Sequence, residues 1–284
     1  LNKPCQDDRV ILIIAIENQN VQIVKSILKK FEKSVDVNIY TNEGQTPLII
    51  ACELENIEIV NLLLKNKNID VNKPSEEEGN TPFITAAKTG NIDILNILME
   101  RNDIDLYAKN KDGMSAIHAA FFAEKIDAVK LLIPRFRDNL NDKAGNGQTL
   151  FQMAYKKNIE LAKLLMNQPE VDVNFYDEDG VTPFLSAAQE GNLEMIKLLL
   201  ENQNCDPNIK SEKDGRNAFM MAVESKNVEL IKFFIDMYKE EEIEQSKSKQ
   251  SKNKNKKAAK KENTKSVDIT DPKALSIALS VKNK

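Results

Sequence analysis

Few side chains in this 284-residue sequence could take part in catalysis or hold a metal ion. The chain has one histidine, His118, and three widely separated cysteines, Cys5, Cys52 and Cys205. A single histidine excludes most histidine-based zinc sites and most nucleophiles that a histidine activates. The odd, scattered cysteines match neither a disulfide framework nor a metal motif, and they favour a reducing compartment such as the cytosol.

Two groups of neighbouring carboxylates are the remaining candidates for chemistry. Glu53 and Glu55 form one group, and residues 177–179 contain the other. Acid–base catalysis needs carboxylates held within reach of a substrate proton, but both groups fall in predicted turns or at exposed helix positions. The sequence also contains no glycine-rich phosphate loop and no metal-ligand spacing. We therefore predict no catalytic, cofactor-binding or metal-binding residues.

The elements that would position these residues recur along the chain. Residues 79–91 read GNTPFITAAKTGN, and residues 180–192 read GVTPFLSAAQEGN. Related stretches start at glycines that are about 34 residues apart, a period that indicates a stacked repeat architecture. These turn glycines are Gly44, Gly79, Gly113, Gly147, Gly180 and Gly215.

Each part of the pattern has a physical role. In Thr-Pro, the hydroxyl accepts hydrogen bonds from free N–H groups at a helix start, and proline fits the first helical position. Gly90 and Gly191 can adopt a positive φ and end that helix. A second helix follows, in which Ile57, Val60 and Leu64 share one apolar face. An extended Asp-Val-Asn segment closes the unit at residues 36–38, 70–72 and 172–174.

This pattern, G-x-T-P-[LF]-x-x-A-A-x-x-G-N followed by an apolar helix and D-V-N, resembles the ankyrin repeat. The resemblance covers most of residues 7–237 in seven copies. It implies an all-α solenoid of stacked helix–turn–helix units from which β-hairpin-like fingers project. A single copy cannot bury its apolar face alone, so the copies are expected to share one core in which each contacts its neighbours.

The chain divides into three predicted parts. Residues 1–237 contain the seven ankyrin-like repeats, of which the first is degenerate. Residues 238–267 form a linker or loop insertion that is acidic and then rich in lysine. Residues 268–284 are predicted to be a partial eighth repeat that contains its first helix only. The pattern positions of that helix are held by Ala274, Leu275, Ala278 and Asn283.

Four copies depart from the pattern, and the seventh does so with Asn217-Ala218 in place of Thr-Pro. The first has an apolar run at residues 10–14 in place of Thr-Pro, and we expect another repeat or a partner to cover it. The fourth has Ser-Ala in place of Thr-Pro and Lys125 in place of asparagine. The fifth has Leu150 in place of proline and lacks one residue before its second helix. We expect local distortion in copies four and five.

The lysine run at residues 246–266 contains nine lysines and one glutamate, without an aromatic or branched apolar residue. Such a segment cannot bury a core, so one interpretation is a disordered, solvated loop. The alternative is an electrostatic arm for nucleic acid, anionic lipid or an acidic protein tail. This basic arm would use Lys252, Lys254, Lys256, Lys257, Lys260 and Lys261.

The resemblance also implies roles for single residues. It gives His118 a structural hydrogen bond near a helix start, Cys52 a place in the core and Phe121 an inward position. For Phe122 two alternatives stay open: distorted packing buries both rings, or Phe122 is an exposed anchor for a partner. The positions that vary in the family would line a concave groove: Gln45, Leu54, Asn80, Lys88, Met114, Phe122, Lys156, Val181, Gln189, Arg216 and Glu224.

The sequence therefore predicts a non-enzymatic protein-binding module or scaffold that uses the concave face of its repeats in the cytoplasm. One alternative is a structural component of a cytoskeletal or filamentous assembly, such as a microtubule-associated protein, whose basic arm holds an acidic polymer. Another is the targeting domain of a larger enzyme or channel. The apolar run at residues 10–16 is too short to span a membrane, and we predict no membrane span.

Overall fold

The computed structural model of the chain describes residues 10–32, 34–239 and 269. This described part is helical, and two 3-10 turns, Ile133–Arg135 and Arg137–Asn139, follow the eighth helix. The α-helices of the described part are α1 (Ile11–Glu17), α2 (Val21–Lys30), α3 (Pro47–Glu53), α4 (Ile57–Leu64), α5 (Pro82–Thr89), α6 (Ile92–Met99), α7 (Ala116–Phe122), α8 (Ile126–Leu132), α9 (Leu150–Lys157), α10 (Ile159–Met166), α11 (Pro183–Glu190), α12 (Leu193–Glu201), α13 (Ala218–Ser225) and α14 (228–239).

Two predicted segments lie outside the described residues. The lysine run at 246–266 is one of them, and the predicted eighth repeat is the other, apart from residue 269. Helix α14 extends to residue 239, so the seventh repeat includes two residues that the sequence analysis assigned to the linker.

Hydroxyl caps start the first helix of three repeats, as the Thr-Pro pattern predicts. Thr46, Thr81 and Thr182 each accept a hydrogen bond of 3.3 Å from the backbone N–H of the third residue that follows. Asn217 has the same role before α13, at 2.9 Å. A cap of this kind contributes about 1 kcal/mol to helix stability.

Asparagine caps start the second helices other than α8, which explains why this residue recurs in the sequence; α8 follows Lys125 and has no side-chain cap. Asn56, Asn91 and Asn192 accept hydrogen bonds of 3.0–3.1 Å from the N–H of the third residue that follows. Just before two of these caps, Gly90 and Gly191 end α5 and α11 with φ values of 81° and 71°. This confirms the prediction that these glycines are helix ends.

The described helices belong to two compact units that divide at Leu150. In the first unit, the first helices α1, α3, α5 and α7 pack side by side, and the second helices α2, α4, α6 and α8 pack in the same order. In the second unit, α11 packs against α12 and α13. Fully buried alanines such as Ala51 and Ala86 let neighbouring first helices approach, and Phe83 and Phe184 fill the two cores.

The asparagine of Asp-Val-Asn joins one repeat to the next. The side-chain N–H of Asn72 donates to the carbonyl of Asp103 at 2.7 Å, and its side-chain oxygen accepts from the backbone N–H of Asp105 at 2.7 Å. Asn38 makes the same two bonds in the first unit, and Asn174 makes them in the second. This motif therefore acts as a joint between repeats.

The joint between the third and fourth repeats departs from this arrangement. Tyr107 replaces the joint asparagine; its hydroxyl donates to the carbonyl of Arg135 at 3.0 Å, and its ring meets Phe136 edge-on with centroids 5.3 Å apart. Phe136 follows Pro134, which cannot continue α8, and the chain passes through the two 3-10 turns instead. The structure thus shows a local irregularity in a copy where the sequence predicted distortion.

The fingers are hairpin turns. The finger before α7, for example, is closed by a bond of 3.0 Å from the N–H of Asn110 to the carbonyl of Met114. The six turn glycines have φ between 67° and 75°, a region that favours glycine. Within the described residues, Lys143 and Thr149 form an antiparallel β-bridge in one of the fingers.

Candidate protein-binding face

Two positions lie side by side in the second repeat and again in the seventh. They are the residue after the turn glycine and the residue nine positions after that glycine. In the second repeat, the side chain of Gln45 donates to the carboxylate of Glu53 at 2.7 Å. In the seventh repeat, Arg216 pairs with Glu224. The finger and the end of the first helix therefore present their side chains together.

We call this surface the finger face, and we describe it separately for each unit. In the first unit it consists of Gln45, Glu53, Lys88, Met114 and Phe122. In the second unit it consists of Lys156, Val181, Gln189, Arg216 and Glu224. All ten of these side chains are exposed or half-buried.

Phe122 is the most apolar exposed residue of this face. Its side chain is 44% exposed, whereas that of Phe121 is 5% exposed. The two rings meet edge to face, with centroids 5.9 Å apart and an angle of 75°. The inward position of Phe121 is confirmed, and the alternative in which both rings are buried is wrong. Met114 and Phe122 line one cavity of about 460 Å³.

Asn80 differs from the other predicted groove residues, because its side chain is 6% exposed. Its side-chain oxygen accepts a hydrogen bond of 2.9 Å from Asn110, and its side-chain N–H donates to Glu78. The same carboxylate pairs with Lys88 at 3.2 Å. Asn80 therefore joins two fingers, and its predicted place on the groove surface is corrected.

The sequence analysis also selected Leu54 where the structure places Glu53. Leu54 is the half-buried residue that ends α3, one position beyond the finger face. Glu53 holds the ninth position after Gly44 and contacts the finger residue Gln45. The sequence analysis interprets Glu53 as solvated surface, whereas a count of nine positions from Gly44 identifies it as a residue of this face.

The finger face of the second unit is polar and rich in ion pairs. Lys156, Val181, Gln189 and Arg216 line a cavity of about 690 Å³ together with several carboxylates. Lys213 pairs with Asp179 at 3.1 Å, and Arg216 pairs with Asp214 at 2.6 Å. The backbone N–H and then the guanidinium of Arg216 hold the pKa of Asp214 below its usual value. This groove can exchange hydrogen bonds and ion pairs with a polar partner.

His118 and Cys52 have the structural roles that the resemblance implied. Nδ1 of His118 lies 2.8 Å from the hydroxyl of Ser115, the residue that precedes α7. Burial lowers the pKa of His118 from 6.5 to about 4, so the ring is neutral at pH 7. The thiol of Cys52 is fully buried in α3, and burial raises its pKa.

One predicted feature, the basic arm, falls outside the described residues. The six lysines of the basic arm lie outside, so the arm stays a prediction. The part of the chain that the structure describes contains no cluster of His, Cys, Asp or Glu suited to a metal ion. No helix in residues 10–32 or 34–239 is long and apolar enough to cross a membrane.

Comparison with known families decides what these repeats are. The family model for ankyrin repeats, which contains three copies, matches residues 1–75, 67–144, 123–211 and 150–249. The chain belongs to the ankyrin repeat family. Ankyrin repeats are protein–protein interaction modules, so the family supports protein binding in general terms.

Several ankyrin relatives are similar over about a third of the chain. The I-Kappa-B like protein C2 of Microplitis demolitor bracovirus (isolate Webb) is 30% identical over 114 residues, which cover 38% of this chain and 63% of that protein. The Ankyrin repeat and KH domain-containing protein mask of Drosophila melanogaster is 34% identical over 104 residues, or 35% of this chain and 3% of that protein. The Nuclear factor NF-kappa-B p105 subunit of Gallus gallus is 30% identical over 103 residues, which cover 36% of this chain and 10% of that protein.

These matches span less than two thirds of each of the three relatives. Among solved structures, the ankyrin repeat domain of Bcl-3, described as a unique member of the IkappaB protein family, is similar with a TM-score of 0.68 and 23% identity. The similarity covers 79% of this chain and 98% of that domain. At this identity it shows that the ankyrin fold is shared.

Proposed function

We propose that this ankyrin repeat protein binds partner proteins through its finger face and catalyses no reaction. The observation that carries the proposal is the contact between two variable positions of one repeat, between Gln45 and Glu53 at 2.7 Å in the second repeat and between Arg216 and Glu224 in the seventh. Recognition needs side chains that differ from repeat to repeat and that lie close enough to contact one partner.

The contrast between buried and exposed positions supports this function. The buried helix positions repeat almost unchanged, as Ala51, Ala86, Ala120, Ala154, Ala187 and Ala222 show. The ninth position after the turn glycine instead changes between acidic, basic, aromatic and amide side chains. Because the fingers and helices are fixed by joints and caps, a partner would meet a preorganised surface, which lowers the ordering cost of binding.

We further propose that the protein works as a scaffold inside the cell. Cys52 is a buried free thiol in the described part of the chain, as expected in a reducing compartment. The similarity to proteins named I-Kappa-B like and NF-kappa-B p105 supports a role in binding other proteins rather than in catalysis.

The test is affinity capture from extracts of the source cell, with the full chain as bait and mass spectrometry as the readout. Two double variants alter the finger face: Lys88→Glu with Phe122→Ala, and Gln189→Lys with Arg216→Glu. The matched control, Glu58→Lys with Lys232→Glu, changes exposed charges on the second helices α4 and α14. We expect at least one finger-face variant to lose a partner that the control retains.

Capture that persists in both finger-face variants would overturn the proposal. Deletion of residues 246–266 separates it from the alternative that rests on the basic arm. A partner that is lost with this deletion alone, and that dissociates in moderate salt, would transfer the binding function to the lysine run.

A further inference from the structure

One cavity of the finger face is open and partly apolar, and it lies in the first unit. We call it the socket; Met114, Phe122 and Ala144 give it apolar walls, and Lys111, Asp112, Gly145 and Asn146 are also among its lining residues. Its volume is about 460 Å³, which falls within the range of about 300–1,000 Å³ that is usual for ligand pockets. The ring of Phe122, which forms one wall of the socket, packs edge to face against the buried ring of Phe121.

Gly145 is the reason that the socket is open. In three other fingers a long side chain lies against the turn glycine of the preceding finger: Glu76 beside Gly44, Lys111 beside Gly79, and Glu212 beside Gly180. Gly145 takes this position beside Gly113, and it has no side chain to cover the space.

The close approach of two fingers requires this glycine. A Cβ atom added to Gly145 would lie 1.7 Å from the carbonyl oxygen of Asp112, far inside contact distance. The fifth finger can therefore pack at this distance from the fourth only with glycine at 145. The sequence carries the signal as two glycines, Gly145 and Gly147, in one finger.

The exposed tips of the fingers on one side of the socket are acidic. These carboxylates belong to Glu43, Glu76, Glu77, Glu78 and Asp112. Two lysines of the same surface are already engaged, since Lys88 pairs with Glu78 and the ammonium of Lys111 donates to the carbonyl of Glu76. The surface beside the socket therefore attracts cations, and it disfavours nucleic acid.

We propose that the socket receives one large apolar side chain, such as leucine, methionine or phenylalanine, from a partner protein segment that carries lysine or arginine beside it. The apolar side chain packs on Phe122 and Met114, and the basic residues face the acidic finger tips. This proposal rests on the proposed function and names the chemistry of its partner. Aromatic residues in partly enclosed pockets are favoured anchors of protein interfaces.

The test is selection of a phage-displayed library of random 12-residue peptides on the full chain. Enriched peptides are then synthesised, and their affinities are measured by fluorescence anisotropy. We expect enriched sequences to place one large apolar residue next to lysine or arginine. Phe122→Ala should weaken the selected peptide at least 10-fold, whereas Phe122→Leu should retain most of the affinity.

Two further variants complete the design. Asp112→Lys should weaken binding about 3- to 10-fold, with the loss shrinking as salt screens the charges. Phe31→Ala removes an aromatic ring that is 39% exposed at the end of α2 but lies outside the socket, so it should leave binding unchanged. Thermal unfolding of each variant checks that Phe122→Ala leaves the repeats folded.

The outcomes separate the two proposals. Enriched peptides that are insensitive to Phe122→Ala but are lost in Lys88→Glu would overturn the socket and keep the finger face as a binding surface. Enrichment of acidic peptides, or no enrichment at all, would overturn the socket as proposed. Peptides that no finger-face variant affects would contradict both proposals.

Discussion

At the scale of single residues, His118 shows how burial ties stability to pH. It is the only histidine in the sequence, and its side chain is 1% exposed. Burial lowers its pKa to about 4. The positive charge of Lys109 also lowers the pKa, whereas a hydrogen bond with the backbone of Asp142 raises it. Because the folded pKa lies below the unfolded value, the unfolded chain binds a proton more readily.

We predict that stability falls as the pH decreases from about 6.5 towards 4. Above pH 6.5 the ring is neutral in both the folded and the unfolded chain, and the folded state keeps its full stability. A pKa shift of this size lowers the free energy of unfolding by about 2 kcal/mol between pH 7.5 and 5. Urea unfolding of the wild type and of His118→Asn at both pH values measures this loss. The variant is less stable at pH 7.5, but it should show a smaller change with pH. If the free energy of unfolding changes equally with pH in the wild type and in His118→Asn, the pH dependence belongs to the carboxylates instead.

Residue-scale features also mark the limit of prediction from the sequence. The threonine caps, the helix-ending glycines and the inward position of Phe121 follow from local chemistry, and the sequence predicted them. Phe122 lines its cavity together with Gly145 of the neighbouring finger, and this glycine has no side chain to cover the ring. The burial of Asn80 depends on Asn110, which lies in the next finger. Local patterns do not contain such contacts between repeats.

At the scale of elements, the joint between repeats is a single asparagine side chain. Asn72 uses both ends of its amide, donating to Asp103 and accepting from Asp105, each at 2.7 Å. The sequence predicted an extended Asp-Val-Asn segment but not this bridge, because the partners lie more than 30 residues away. At the end of the third repeat, Tyr107 replaces the bridge with a hydroxyl contact and an aromatic pair.

We predict that Asn72→Ala destabilises the first unit by about 1 kcal/mol, since it removes two exposed hydrogen bonds to the next repeat, each with a small net contribution. The matched control is Asn42→Ala, which removes the same group from an exposed finger tip and should change stability by less than about 0.5 kcal/mol. Urea denaturation followed by circular dichroism compares the two. If both variants have the same free energy of unfolding as the wild type, the joint does not stabilise the stack.

At the scale of the whole molecule, charge and repeat pattern assign different roles to different parts of the chain. Residues 238–284 contain 13 lysines and 7 acidic residues, whereas the chain as a whole has a net charge of −4. The repeats are therefore acidic, and the acidic finger tips near the socket belong to this larger imbalance. A partner with a basic segment would be attracted to the repeats before any side chain enters the socket.

The predicted eighth repeat gives the last prediction, because the end of a repeat stack needs a cover. In such proteins each repeat is stabilised by its neighbours, and a terminal repeat without a cover leaves apolar surface in water. If residues 268–284 pack as a partial repeat, their deletion should lower the thermal midpoint of unfolding by several degrees. Deletion of residues 246–266 is the control; it removes lysines but no apolar pattern, and it should leave the midpoint nearly unchanged. Equal midpoints for the wild type and both deletions would show that residues 268–284 do not cover the seventh repeat.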